Sequence, residues 1–277
     1  MADVASDLSF SRFLKFWRKV HSVSQEELAH RVDSSPRHIS RLENGSSRPS
    51  ETIIEEIAKA LYLRDRDRNH MRISAGYFPQ QAKVDFHSPE LKWLRKAMLL
   101  TLKAMDPYPA TLMDSGSNIL MVNKAWVAIY QKMIPIEKLN EVNNHFDFLF
   151  SSVAGKITSG WEDTLSMILM ALKQSALMSN DPVEIALLAR FIKHPNVPEN
   201  WELRASKLEP MASFRVEIEL DGTLKRFFNV SQTIGASGAT AYVSEPHLTM
   251  NTLYPEDGEL DLSLLLDQKL THPLLFY

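Results

Sequence analysis

No cysteine occurs in the 277 residues, which removes disulfides, thiolate-bound zinc and thiol nucleophiles together and suits a reducing cytoplasm. Glycine is scarce as well, with nine residues, and none of them builds a phosphate-cradling loop or a dinucleotide turn. HExxH and GxSxG are missing too, so the common hydrolase signatures are absent. The richest apolar run, Leu165 to Leu172, is followed at once by Lys173 and is too short to span a bilayer. The start, MADVASDLSF, lacks the positive end and apolar core of a signal peptide. A cytoplasmic, non-membrane protein is expected. Charge of either sign is not in excess: 31 basic against 34 acidic residues leave a formal −3, so any affinity for nucleic acid must come from a local patch. What the chain does have is length and 44% hydrophobic residues, enough for two cores.

The most organised stretch is Ser24 to Pro49, SQEELAHRVDSSPRHISRLENGSSRP. Ser24 with Glu27 three residues on is a capping box, and Leu28, Ala29 and Val32 form the apolar side of a first short helix. A second helix starts at Ser35 with Pro36 in its first turn and stops at Asn44-Gly45. Ile39 and Leu42 face inward, so Pro36, Arg37, Ser40 and Arg41 face outward with His38 at the edge. Arg31, Arg37, Arg41 and Arg48 make this the local basic patch.

The run SQEELA, the later ISRLENG and the closing Pro49 resemble the helix-turn-helix of phage-repressor-type regulators, the XRE family, over residues 9 to 63. That resemblance implies double-stranded DNA as partner, with the second helix of the pair in the major groove. It makes Arg37 and Arg41 the base readers and Gln25 and Ser35 the phosphate contacts, with Pro36, His38, Ser40 and Arg48 completing the DNA face. It also implies an ion pair between Arg18 and Glu43.

Around this motif, Phe10, Phe13, Leu14, Trp17 and Val20 make one stripe of a helix over 8–20, and Ile53, Ile54, Ile57, Ala58 and Leu61 one face of another. Residues 1–63 therefore read as an all-α domain. Residues 64–88 mix dense alternating charge with Met71, Ile73, Tyr77 and Phe78 and read as a helical linker, either a rigid coupler or a solvated face. A second domain, 89–277, opens at Ser88-Pro89 with a helix carrying Trp93, Leu94, Ala97, Met98 and Leu102. Two short strands turn at Ser115-Gly116-Ser117, helices fill 124–210 (one capped by Asp181), and further strands alternate around Asp221-Gly222. The expected class is a two-domain α+β protein, its second half a PAS-like antiparallel sheet with helices on one face. That order, with Pro109, Ala110, Asn123 and the pair Trp161-Glu162, resembles the MmyB-like transcription regulators, and implies a PAS-like ligand sensor. Gly160 stands where that pattern has an aspartate, and the late His-Pro pair is missing from 229–234.

Chemistry of other kinds has little support. Asn144, His145 and Asp147 form the best polar cluster, but no third ligand with metal spacing follows, and His194-Pro195 reads as a helix end. No catalytic residue, metal or cofactor is expected, and the protein is not read as an enzyme. The segment LSMILMALKQSALM is apolar nearly all round and should lie deep in the second domain. Met113, Met121, Met167 and Met170 offer flexible lining for a small apolar ligand, with Asn123, Trp161 and Arg190 as its polar rim. A fatty acid fits that distribution. Two readings stand: a homodimeric DNA-binding regulator that senses an apolar molecule, or one whose second domain is only a dimerisation or protein-docking module. The apolar tail LSLLLDQKLTHPLLFY is a candidate contributor to the dimer.

Overall fold

The computed structural model describes residues 3–80, 85–151, 160–179, 182–208, 215–220, 222–234, 248–267 and 269–277. Two compact units divide the chain, one over 1–83 and one formed by 84–234 with 247–277. Asp181 and Asp221, expected as a cap and a turn residue, lie outside the described residues.

Five helices build the first unit: α1 (Asp3–Val20), α2 (Gln25–Arg31), α3 (Pro36–Glu43), α4 (Glu51–Ala60) and α5 (Asp65–Ser74). Serine caps set three of the starts. Ser24, Ser35 and Ser50 accept from the backbone N–H of Glu27, His38 and Ile53 at 3.0, 3.1 and 3.3 Å, each removing an orphan donor. The return half of the capping box is replaced: Glu27 takes Arg31 at 2.9 Å, one helical turn on. Phe10, Leu14, Leu28, Ala29, Ile39, Leu42, Ile54, Ile57 and Leu61 close the core, with Phe13 and Trp17 against it. Val20, expected on the same stripe, is 54% exposed. At about 100° per residue it lies within about 20° of Phe13 around the helix, but it is the last residue of α1. The chain then turns at Ser22 (φ 54°), and Val23 takes the inner place.

The segment expected as a linker is divided. Its helix α5 packs on α1 and α4, with Met71 and Ala75 in the same core. The dense charge hides one buried cation, Arg72, which meets Glu51 at 2.7 Å and Glu55 at 2.8 Å and donates to the Phe78 carbonyl at 2.8 Å. A buried guanidinium is tolerable only with such partners.

In the second unit a 3₁₀ turn at Pro89–Leu91 leads into α6 (Lys92–Met105). The hairpin β1 (Ala110–Met113) and β2 (Ile119–Val122) follows, and then α7 (Lys124–Tyr130), α8 (Ile136–Leu139), α9 (His145–Phe150), α10 (Trp161–Ser179), α11 (Pro182–Ile192) and α12 (Trp201–Lys207). Strands β3 (Arg215–Leu220), β4 (Thr223–Ile234) and β5 (Leu248–Pro255) complete a five-stranded antiparallel sheet of order β2-β1-β5-β4-β3. Gly222 supplies the positive φ, 74°, that the β3–β4 turn needs. Ala110, Leu112, Leu248 and Met250 pack with Met98 and Leu102 of α6 on one face. Alternation sends Leu253, Phe227 and Ile218 to the other, where Ala128 and Ile129 of α7 cover them. The helical cover that follows the first hairpin thus takes one face, and α6, which precedes it, takes the opposite one.

Helix α10 is less enclosed than its composition suggests. Leu165, Ile168 and Leu169 are buried against Phe150, Leu188, Phe191 and Trp201, but Leu177 is 71% and Met178 65% exposed. No strand residue joins this cluster among the described residues, so α9 to α12 satisfy one another rather than wrap a strand. The tail docks on its own unit: Leu270, Leu274 and Leu275 pack near Trp126 and Tyr130, and Val122 of edge strand β2 donates to the Leu274 carbonyl at 2.9 Å.

Candidate functional site

Helix α3 owes its position to local chemistry. Ser35 caps it, Pro36 starts it at no hydrogen-bond cost, and buried Ile39 and Leu42 fix its roll. The roll leaves Arg37 and Arg41 exposed on the outer side with Ser40 and His38 beside them. Neither arginine has an acidic partner among the described residues, whereas Arg18, Arg31, Arg68 and Arg72 of the same unit are all paired with carboxylates. Arg31 also donates to the Ala60 carbonyl at 3.2 Å, so it is a brace between helices and leaves the basic patch. Ser35 accepts from His38 and keeps its own O–H to donate.

Behind α3 lies the expected ion pair. Arg18 Nε and Nη2 donate to the two oxygens of Glu43, and Gln25 Nε2 adds a third bond to it at 2.7 Å. Burial raises the Glu43 pKa, but the bonds from Arg18 and Gln25 and the charges of Arg18 and Lys15 outweigh it and leave the carboxyl below its usual range. Gln25, expected at a phosphate, spends one amide N–H inside the protein, and this bond orients the second. Arg48, exposed in the loop after α3, lies over the Tyr77 ring with 5.8 Å to the centroid. Nothing local in the sequence linked these two, since they are far apart along the chain.

The residues expected at a ligand are not brought together. Met113 packs with Val122, Trp126 and Tyr130, and Met121 with Met98, Leu102 and Met250 on the opposite face of the sheet. The cause is strand alternation: Met121 pairs with Leu112, so it shares Leu112's face, while Met113, the next residue of β1, points to the other. Asn123 is fully buried and spent. Its Oδ1 accepts from Ala110 N and Trp126 N at 2.9 and 3.0 Å, and its Nδ2 donates to the Tyr108 and Leu102 carbonyls at 2.8 and 3.5 Å. An amide with four bonds made has nothing left for a ligand, so Asn123 is a structural pin joining β1, α6 and α7. Trp161, Met167 and Met170 do share α10, all partly exposed. Arg190 stacks on Phe191 of the α10 cluster at 4.5 Å and meets Asp147 at 3.1 Å, both of that pair about half exposed.

The polar trio is accounted for in the same way. Asn144 caps α9 and donates to the Gly116 carbonyl and Asn118 Oδ1, both at 3.0 Å, tying α9 to the β1–β2 turn. Burial pushes the His145 pKa down to about 4, so the ring is neutral, and Asp147 is held by Arg190. No group of three metal-ligating side chains occurs among the described residues. His194 ends α11 with its ring on Phe150. Polar residues that gave no sequence signal include Arg204, paired with Glu162 and Asp163, and Tyr277, whose hydroxyl donates to Asp106 at 2.7 Å.

No helix among the described residues is long and apolar enough to cross a membrane. No curated protein matches the chain. Two family models do: a helix-turn-helix over residues 14–61, and the MmyB-like transcription regulator ligand binding domain over 94–251. The first covers α2, α3 and α4 with their arginine-bearing face, and the second spans more than half of the chain, including most of α6, all of α7 to α12 and most of the sheet. The chain belongs to the MmyB-like transcription regulators, and couples a DNA-binding helix-turn-helix to a ligand-binding domain.

Proposed function

We propose that this regulator works in the cytoplasm as a two-fold dimer that reads an operator with Arg37 and Arg41, and that its second domain, PAS-like in strand order, takes a long-chain fatty acid. The observation that carries the DNA half is the state of the arginines: among the described residues Arg37 and Arg41 stand exposed on α3 with no acidic partner, while four others of the same unit are neutralised. Unpaired arginine on that face suits the guanine edge, which it binds through two hydrogen bonds. Gln25, Ser35, Pro36, His38 and Ser40 border the same face.

For the ligand, α10 supports the reading. Its run from Leu165 to Leu172 has no charge, and Trp161, Met167 and Met170 are only partly covered. An apolar chain laid there gains about 0.8 kcal/mol per buried CH₂. Its carboxylate would go to Arg190, whose present partner Asp147 is half exposed and therefore easily displaced. Met113 and Met121, on opposite sheet faces, stay outside this seat. The test is operator affinity of delipidated protein, on a duplex selected from a random pool, with and without acids of roughly twelve to eighteen carbons. A several-fold change is expected; equal binding would reduce the lipid to a filler.

One observation favours the other reading, a dimerisation or protein-docking module. Leu177, Met178, Ile185, Ile192 and Leu203 of α10 to α12 are exposed apolar side chains. Solvent extraction of protein purified from cells separates the two: a stoichiometric small molecule is expected for a sensor and none for a docking module.

A further inference from the structure

Arg48 has no acidic partner among the described residues, yet it is not loose. Its guanidinium lies over the ring of Tyr77, a residue beyond the helix-turn-helix match, in the segment that leaves α5. That segment is pinned at every step. Tyr77 N–H donates to the Arg72 carbonyl at 2.9 Å and its hydroxyl to the Pro49 carbonyl at 3.0 Å, while Phe78 O accepts from Arg72 Nε. Gln80 exchanges two backbone bonds with the side chain of Asn69, at 2.8 and 2.9 Å. Gly76, at φ 82°, makes the turn that permits this, and a Cβ there would already touch Arg48 Nη2 at 3.6 Å. The Tyr77 ring packs on the core of the first unit, so it is a fixed floor.

A guanidinium held over a ring without an acidic partner keeps N–H groups to donate, and a floor under it cuts the rotamer entropy lost when they bind. The loop of Arg48 begins where the recognition helix ends, which is where a duplex docked on α3 presents its backbone. We propose that Tyr77 is a positioning residue for DNA binding: it holds Arg48 ready to contact a backbone phosphate beside the groove that α3 enters. This rests on the reading of α3 as the recognition helix. A phosphate contact carries no sequence information, so its loss weakens all duplexes alike and lowers the salt dependence.

The experiment measures affinity of the full chain for a random-sequence duplex of about three helical turns across a salt series. Arg48→Ala should lower the slope of log affinity against log salt by about 0.9, one phosphate's worth. Tyr77→Leu, which fills the core but has no ring face, should lose nearly as much, and Tyr77→Phe should keep the slope. Arg48→Ala combined with Tyr77→Leu should fall no further than Arg48→Ala alone, which a purely structural tyrosine would not produce. A wild-type slope in Tyr77→Leu, or in Arg48→Ala, overturns the positioning role while leaving the DNA-binding reading intact. Wild-type protein that shows no salt-dependent duplex binding overturns that reading and this proposal together.

Discussion

Single residues of this protein act through what they leave paired or unpaired. Arg37 and Arg41 project from the first two turns of α3 with no acidic partner among the described residues. Alanine at either should cost about 1–3 kcal/mol at the matched base pair and relax preference there, whereas loss of a backbone contact weakens every sequence equally. Competition between selected and scrambled duplexes measures this, and full preference in Arg41→Ala would remove it from the base readers. Asn123 is the opposite case, with all four bonds made inside the protein. Asn123→Ala should cost about 3 kcal/mol or more in urea unfolding, because buried Ala110 N and Trp126 N lose their acceptor. Neutral, partly buried His145 adds a pH dependence. Its folded pKa of about 4 lies below its unfolded value of 6.5, so the unfolded state binds the extra proton between the two. Stability is therefore complete above pH 6.5 and falls toward pH 4. His145→Asn should flatten that part of the curve, and an unchanged slope would assign it to other groups.

At the scale of elements, local signals were legible and long-range closures were not. Ser24 and Ser35 announced two helix starts, and the alternation around Gly222 announced β3 and β4, because caps and turns are written within four residues. The basic face of α3 was readable for the same reason: roll follows from Ile39 and Leu42. Arg72 was not, since its partners Glu51 and Glu55 sit on a different helix and nothing in an alternating-charge run marks which arginine turns inward. Met113 and Met121 failed as a joint lining because the pairing of β1 with β2 sets Met121 opposite Leu112, and neighbours along one strand point to opposite faces. The tail is the largest closure of this kind. It covers the β2 edge through the Val122–Leu274 bond, seats buried His272 against the Leu139 carbonyl at 3.1 Å, and joins Tyr277 to Asp106. Deleting residues 270–277 should strip apolar cover from Trp126 and Tyr130 and open a sheet edge. At about 1.5 kcal/mol or more per leucine uncovered, the second domain should lose several kcal/mol and about 10 °C in Tm. A deletion variant that melts with the wild type would show the strap to be ornamental.

For the whole molecule the question is how a ligand held in one unit changes what the other does. A single helix-turn-helix reads few base pairs, so the proposed dimer should occupy two half-sites about 34 Å apart, and sedimentation should find two chains at micromolar concentration. A ligand can move operator affinity only by the difference in its own affinity for the DNA-competent and DNA-incompetent states. Linkage then makes the effect reciprocal: if a bound fatty acid changes operator affinity by some factor, the operator must change fatty-acid affinity by the same one. A factor of about ten corresponds to about 1.4 kcal/mol, which lies within the usual range of coupling between sites. Calorimetric titration of the acid into free protein and into protein saturated with operator should therefore give affinities that differ by the ratio found when operator is titrated with and without acid. Arg190→Gln should weaken the acid in both titrations, by removing the cation that meets the carboxylate, and leave the ratio itself unchanged. A ratio that appears in one direction and not the other would mean that the acid acts on oligomeric state or solubility rather than on a shared equilibrium between two conformations.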